Sequence, residues 1–435
     1  MAGPYPRAHS INSLTTKAAI LWEYDTMGKH IIEEARRCLQ CKKPLCTKGC
    51  PNQTAISDMI RLFLDGKMKE AGKMLFENNP LSVICSSICP HEKFCEGHCV
   101  LGRNGAPVQI SDIEHYISSY YLDQYVPQKP AVRRDGRIAI IGSGPSGLTV
   151  AFILAANGYD VTIFESKDKI GGVLRYGIPD FRLPKDLLDK LKKRLLALGV
   201  KFRPNMLVGP IITLDDLLND AYAAVFIGTG VWNPRPLRIK GETLGHVHYA
   251  INYLKSPEAY ELGKKVAVIG AGNVAMDAAR TALRNGASEV SILYRRGLEA
   301  MSATQHDYDY ARIEGVSFSF FHAPVEITDD GVLCVRTEMV ETEEGASSLR
   351  TIEGSDVFVE ADSVIIAVSQ APRSNLKGIE IGKSGLVITD EVGRTTREGI
   401  FASGDVVTGA KTVAEAVSFS KQSAAAIMEY LENKA

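Results

Sequence analysis

Eight of the nine cysteines in this 435-residue chain fall between residues 38 and 99, in two tight groups. The first reads Cys38-x2-Cys41-x4-Cys46-x3-Cys50-Pro51, and the second Cys85-x3-Cys89-Pro90-x4-Cys95-x3-Cys99. Thiolates packed this densely need a soft metal to hold them, and iron–sulfur clusters fit best. Structural zinc sites commonly draw on two C-x2-C pairs, whereas only Cys38 and Cys41 have that spacing here. The first group departs from the bacterial ferredoxin run C-x2-C-x2-C-x3-C-P by two added residues in its middle spacing, and it keeps the final Cys-Pro. In two-cluster ferredoxins that last cysteine serves the other cluster, so crossed ligation is expected.

Disulfides are the other outlet for crowded cysteines. The first residues, MAGPYPRAHSINSL, lack the apolar core of a signal peptide. No apolar run approaches the roughly 20 residues that cross a bilayer. The expected compartment is therefore the cytoplasm, where thiols stay reduced. A net charge of −1 without a long basic tract argues against nucleic acid or an anionic membrane as a main partner.

Along the chain, a helix is possible around Thr16–Tyr24, and IIEEARR (31–37) reads as a helix leading into Cys38. Ile56, Met59, Ile60, Leu62 and Phe63 recur at helical spacing, as do residues of Met68–Phe76, predicting two short amphipathic helices joined near Asp65-Gly66. A third helix is expected from Ser111, as N-cap of a capping box with Glu114, to about Tyr121. Prolines in VPQKPA (126–131) mark a linker. Residues 1–130 thus read as a helical domain built around metal rather than around a large apolar core.

From Arg137 the pattern becomes strand, glycine turn, helix, strand: RIAIIG, GSGPSG, LTVAFILAANG, YDVTIFE. The plan repeats at KKVAVIG, GAGNVA, MDAARTALRNG and SEVSILY. The fold class is α/β, two nested Rossmann-like nucleotide-binding domains behind an α-helical iron–sulfur domain. The expected boundaries are 136–260 with 356–435 for the first nucleotide domain and 261–355 for the second. DVFVEADSVIIAVS (356–369) should add one or two strands and GIFASGD (399–405) another, ahead of a helix from Val413 to Leu431.

Gly142, Ser143, Gly144, Pro145, Ser146 and Gly147 form a fingerprint that permits close approach of a dinucleotide diphosphate to a helix N-terminus. Glu165, closing the next strand, can accept hydrogen bonds from ribose hydroxyls, as expected for FAD. The second fingerprint comprises Gly270, Gly272, Asn273, Val274 and Ala275. Where the first copy has Glu165 the second has Tyr294, followed by Arg295 and Arg296, and guanidinium forks match a ribose 2′-phosphate. The second nucleotide is thus expected to be NADP rather than NAD. Gly404 and Asp405 suit a late loop meeting the flavin's ribityl-phosphate, and the amides of Lys411, Thr412 and Val413 could face the ring or its diphosphate. Cys334 is the only cysteine outside the N-terminal domain and reads as inert packing on a strand, which disfavours a disulfide reductase.

These motifs, together with GGVLRYGIPDFRLP (171–184) and CSSICPHEKFCEGHC (85–99), resemble the small subunit of glutamate synthase and the N-terminal region of dihydropyrimidine dehydrogenase. The resemblance runs from RRCLQC to the Gly-Asp motif. It implies FAD and two [4Fe-4S] clusters with crossed ligands, one on Cys38, Cys41, Cys46 and Cys99, the other on Cys50, Cys89 and Cys95. Some members close the second cluster with a glutamine, and Glu114 stands at that place, where ligation competes with its capping role. Cys85 would be a bystander. Flavin contacts from Gly172, Val173, Arg182 and Val208 are also implied. Ser302 stands where dihydropyrimidine dehydrogenase has a further phosphate-binding arginine.

The expected function is NADPH-dependent electron transfer through FAD and clusters to a larger catalytic or electron-accepting partner subunit of glutamate synthase or dihydropyrimidine dehydrogenase type. No catalytic acid or base is expected, since the cofactors carry the chemistry. The rivals are a stand-alone or bifurcating NAD(P)H:acceptor oxidoreductase, an NADH-linked enzyme, and a non-enzymatic zinc-stabilised scaffold.

Overall fold

The computed structural model describes residues 30–341, 347–373 and 375–434. The possible helix at Thr16–Tyr24 lies outside them. The chain divides into a unit ending at Tyr125 and a unit beginning at Val126.

The first unit is all helical. A helix at 30–36 leads into Cys38, and helices follow at Leu45–Gly49, Ile56–Leu64, Met68–Asn78, Ser82–Ile88 and Ile110–Gln124. The apolar stripe Ile56, Met59, Ile60 and Phe63 packs with Ala71, Leu75, Ile110, Ile113 and Ile117. The periodic apolar residues thus add a compact core of their own to a domain expected to be built around metal rather than around a large apolar core. Cys95 is part of that core, and Cys38, Cys46 and Cys99 pack against it.

The capping box at Ser111 is also overturned. The helix starts two residues earlier, with Gln109 rather than Ser111 at its N-cap, and the Ser111 amide and hydroxyl both donate to Glu96 Oε1, at 2.9 and 2.6 Å. A carboxylate from the cysteine loop takes the place of the local partner, and Glu114 is left inside the unit.

The second unit holds two five-stranded parallel sheets. The first runs in the order Ile400–Ala402, Tyr222–Ile227, Arg137–Ile141, Asp160–Phe164, Lys201–Arg203. The second runs Val247–Tyr249, Ser363–Ile366, Lys265–Ile269, Glu289–Tyr294, Ser317–Phe320. Continuous apolar runs such as Ile138–Ile141 are buried on both faces, as parallel strands covered by helices require. The second sheet is inserted between the fourth and fifth strands of the first in chain order. Where the chain leaves and returns, Asn233–Pro234 pairs antiparallel with Gln370–Ala371.

The boundaries at 260 and 356 need correction. Val247–Tyr249 and Ser363–Ile366 belong to the second sheet, in parallel register with each other and, through Ser363–Ile366, with Lys265–Ile269. Asp356–Glu360 ends the last strand of a three-stranded antiparallel sheet, His322–Thr328, Gly331–Glu341 and Ser347–Glu360. The helix Val413–Glu432 closes the unit against the helix Pro145–Ala156.

Candidate functional site: two thiol groups and a flavin-sized cleft

Cys38, Cys41, Cys46 and Cys99 border a single hollow, lined otherwise by residues such as Leu45, Ile56, Ile60 and Leu101. The short helix Leu45–Gly49 supplies Cys46, and a turn carries Cys38 and Cys41. Gln40 Nε2 donates to Cys38 Sγ at 3.6 Å. Burial, with repulsion from Cys99 and Cys38, pushes the Cys46 thiol up to about 11, and burial raises Cys38 as well. Burial thus disfavours the thiolate form of Cys38 and Cys46, which a nearby cation would favour.

A second group gathers Cys50, Cys89, Cys95 and Glu114. The Cys89 thiol is raised by its contact with Cys85, by burial, and by Glu114 and Cys95 beside it. Cys95 is raised by burial and then by Glu114, Glu96 and Cys50. Cys50 Sγ lies 3.5 Å from Thr54 Oγ1. Glu114 is 8 % exposed, and burial alone pushes its carboxyl up to about 8. Its side chain has no hydrogen-bond partner or ion pair among the described residues, so it is an orphaned acid aimed among thiols. Cys85 is buried on the helix Ser82–Ile88 against Cys89.

Both groups fit iron–sulfur clusters. Each offers four soft or anionic donors on an apolar frame. Among the described residues no three His, Cys, Asp or Glu side chains converge as a single-ion site would, and a cube of iron and sulfide is wider than one ion.

In the second unit a cleft of about 1080 Å³, counted to its open mouth, lies along the C-terminal ends of the first sheet's strands. Gly142, Ser143, Gly144, Pro145, Ser146, Glu165, Gly172, Val173, Val208, Asp405, Lys411, Thr412 and Val413 all line it. Gly147 sits behind them, where a Cβ would stand 2.0 Å from the Gly142 carbonyl oxygen. Glu165 is buried, and its carboxylate accepts from the Ser143 amide and hydroxyl at 2.8 and 2.6 Å and from the Lys167 amide at 2.9 Å. These bonds fix the carboxylate at the end of its strand and leave lone pairs for further donors.

Gly404 takes φ +74, and Asp405 follows it into the cleft, its carboxyl raised to about 6 by burial. The Lys411 amide donates to Asp405 at 3.2 Å, and the Thr412 amide donates to Glu415 at 3.0 Å in a capping box. Of the three amides expected to face a ligand, only that of Val413 lacks an acceptor among the described residues.

Arg182, expected at the flavin, does not line the cleft. Its guanidinium is held between Asp277 and Asp307. The cleft also draws on residues that no motif flagged: Thr229, Val231 and Trp232 after the strand Tyr222–Ile227, and Gln370, Arg373 and Asn375 from the returning segment. The glycine pair of GTG (228–230) at a strand end was the available signal for the first three.

Gly270 and Gly272 form the turn between Lys265–Ile269 and the helix Asn273–Arg284, whose first turn carries Asn273, Val274 and Ala275. Asn273 Oδ1 accepts from the Thr304 amide at 3.0 Å. Arg295 and Arg296 are exposed just past the strand Glu289–Tyr294, with no ion pair among the described residues. Ser302 is exposed, its hydroxyl near Gly272.

Cys334 is fully buried in the antiparallel sheet, its thiol raised to about 11 by burial. The second unit therefore has one cysteine and no internal disulfide partner for it.

Residues 20–126 match the family model described as dihydropyrimidine dehydrogenase domain II, 4Fe-4S cluster, and residues 136–419 match that of the pyridine nucleotide-disulphide oxidoreductases. The glutamate synthase [NADPH] small chain of Azospirillum brasilense is 35% identical over 93% of this chain and 89% of its own. The NAD-dependent dihydropyrimidine dehydrogenase subunit PreT of Salmonella typhimurium is 32% identical over 92% of this chain and 94% of its own. The solved FprA of Mycobacterium tuberculosis in complex with NADPH shares the fold over 69% of this chain and 85% of that one, with a TM-score of 0.61 at 20% identity. The chain therefore belongs to the pyridine nucleotide-disulphide oxidoreductase family, in the branch of glutamate synthase small chains and their dihydropyrimidine dehydrogenase relatives, as a flavoprotein oxidoreductase with a 4Fe-4S domain at its front.

Proposed function

We propose that this chain is the electron-transfer subunit of a larger enzyme, taking electrons from NADPH through FAD and two [4Fe-4S] clusters to a partner that performs the organic chemistry. The observation that carries the reading is the presence, in one chain, of a flavin-sized cleft and a helical unit that gathers seven cysteines and an unpaired buried carboxylate into two groups. Bound flavin supplies the conversion of a two-electron hydride donor into one-electron steps that clusters can carry.

The protein's part is to bind, orient and shield. The turn from Gly142 to Gly147 and the helix behind it would receive the FAD diphosphate, with Glu165 accepting from the ribose hydroxyls. Gly172, Val173 and Val208 would wall the cleft, and Gly404, Asp405, Lys411, Thr412 and Val413 would close its far side. Half-buried beside that wall, the Asp405 carboxyl, raised to about 6, would hold its proton more readily than an exposed aspartate. Cys38, Cys41, Cys46 and Cys99 would hold one cluster. Cys50, Cys89, Cys95 and Glu114 would hold the other, Glu114 gaining there the partner it otherwise lacks.

In the second fingerprint the Asn273–Arg284 helix would receive the NADPH diphosphate through the turn Gly270 to Ala275. Arg295 and Arg296 would take the 2′-phosphate. A second reading, NADH, is favoured by Ser302 at the place of a further arginine.

The partner would be a larger catalytic subunit, as the small-chain names of the relatives suggest. Cysteines held as cluster ligands rather than as disulfides suit the reducing cytoplasm. Native affinity purification under anaerobic conditions tests the proposal. A larger protein should co-purify, and the pair should turn over an organic substrate that neither chain converts alone. Conversion of that substrate by this chain unaided would refute it.

A further inference from the structure

The segment 177–184 leaves the flavin cleft and ends on the nicotinamide side of the second unit. Arg182 Nη1 donates to both oxygens of Asp277 at 2.9 and 2.8 Å, and Nη2 donates to Asp307 at 3.1 Å. Both carboxylates are almost fully buried, 4% and 3% exposed at the side chain. The neighbouring Phe181 ring lies under the guanidinium groups of Arg280 and Arg284, at 4.6 and 4.1 Å. Those two arginines are held in turn by Glu314, at 2.6 and 2.7 Å.

Each end of this bridge reaches a nucleotide turn. On the flavin side, a Cβ on Gly172 would meet the Gly144 Cα at 2.7 Å, so the 171–173 bend presses on the first fingerprint. Val173 opens the short helix Val173–Tyr176, and Lys185 ties the following loop by donating to the Ile178 and Leu183 carbonyls at 2.5 and 2.9 Å. On the other side, Asp277 stands one turn after Asn273 on the fingerprint helix. The Asp307 amide donates to Thr304 Oγ1 at 3.0 Å, and the Thr304 amide donates to Asn273 Oδ1 at 3.0 Å. An unbroken path of contacts therefore joins Gly144 to Asn273.

We propose that Phe181 and Arg182 are positioning residues, a latch that fixes the nicotinamide-binding half of the unit against the flavin-binding half and so sets the registry of hydride delivery. The inference rests on the reading of the two fingerprints as FAD and NADPH turns. Buried charge pairs of this kind specify geometry as much as they stabilise. Displacements near 1 Å cost hydride transfer about 100-fold.

The test uses the full-length holoprotein and three variants, the third of them Arg182→Lys. Phe181→Ala removes the aromatic contact. The double variant Arg182→Gln/Asp277→Asn replaces the bidentate charged bridge with an amide pair and leaves Asp307 as the only charge of the three. Three readouts are taken: FAD per chain, NADP+ affinity of the oxidised protein by titration, and hydrogen exchange of the amides at 273–284 and 305–313. Stopped-flow flavin reduction by NADPH adds the rate.

The expected result is full FAD content, NADP+ affinity within about threefold of wild type, faster exchange at 273–284 and 305–313, and a limiting reduction rate lower by roughly tenfold or more. The single variant Arg182→Lys should recover part of that rate. Unchanged exchange and an unchanged limiting rate would overturn the latch, as would a rate that falls only in proportion to lost FAD. Failure of the wild-type flavin to accept electrons from either nicotinamide nucleotide would instead sink the underlying reading of the fingerprints.

Discussion

Alanine at two neighbouring glycines of the first fingerprint should fail in opposite ways. Gly147 starts the helix Pro145–Ala156 against its own strand. A Cβ there would lie 2.0 Å from the Gly142 carbonyl oxygen, 3.0 Å from the carbonyl carbon and 3.3 Å from Ile140 Cγ2. The obstructing atoms are largely backbone, so the helix start must move by about 1 Å, at the cost of overpacking, about 1–3 kcal/mol or more. The flavin-free Gly147→Ala protein should therefore melt lower, by about 2–4 °C for each kcal/mol lost. Gly144 differs. Its backbone (φ −72, ψ −172) suits any residue, and a Cβ would meet nothing within 4 Å. Alanine there should leave the flavin-free melting point unchanged or raise it, since the unfolded chain loses freedom at no native cost, about 0.4–1 kcal/mol. The open space it would fill is the cleft, where the diphosphate needs close backbone approach. A clash of about 1–3 kcal/mol corresponds to FAD binding weaker by roughly 5- to 150-fold. Calorimetry of flavin-free protein and fluorescence titration with FAD separate the two effects. Wild-type FAD affinity in Gly144→Ala, or wild-type melting in Gly147→Ala, would refute this reading of the turn.

Serine at Cys38 should halve bound iron, because one group loses a ligand at its hollow, whereas Cys85→Ser should leave iron content near wild type; metal analysis of anaerobic protein distinguishes them. Arg295→Glu should weaken NADPH relative to NADH by about tenfold or more, read from reduction rates with each nucleotide, because a carboxylate repels the 2′-phosphate. Asp405 is held near 6 by burial, above its unfolded value of about 3.9, so the folded state binds its proton more tightly. Its contribution to stability is full below about pH 4 and is lost as pH rises through about 6, by at most ~3 kcal/mol. Denaturant titrations of the flavin-free protein should show Asp405→Asn flattening that slope and gaining stability near neutral pH; an unchanged slope would contradict the assignment.

The parts of this molecule that could be read from the chain are those in which spacing dictates geometry. The glycines of 142–147 and 270–275 can only serve a strand–turn–helix, and that is where the structure puts them. The crossed cysteine sets were an implication of the family resemblance rather than of spacing, and the structure places Cys38, Cys41, Cys46 and Cys99 around one hollow. Local pattern misled at Ser111, where a serine three residues before a glutamate suggested a cap, but Glu96 supplied a stronger partner from another loop. Long-range pairing was not legible. Ser363–Ile366 reads as a generic buried strand, and nothing local says it inserts between Val247–Tyr249 and Lys265–Ile269. The partners of Arg182 lie 95 and 125 residues away, so its place between two acids follows only from the packed fold. The cleft residues of the returning segment, Gln370, Arg373 and Asn375, were hidden for the same reason.

The central claim is that the clustered sulfurs hold iron and that a flavin feeding them belongs to the same chain. Protein purified without oxygen should be brown and carry about one FAD, with roughly eight iron and eight sulfide per chain. NADPH should bleach the flavin and then the clusters. Colourless protein, or stoichiometric zinc in place of iron, would contradict the account.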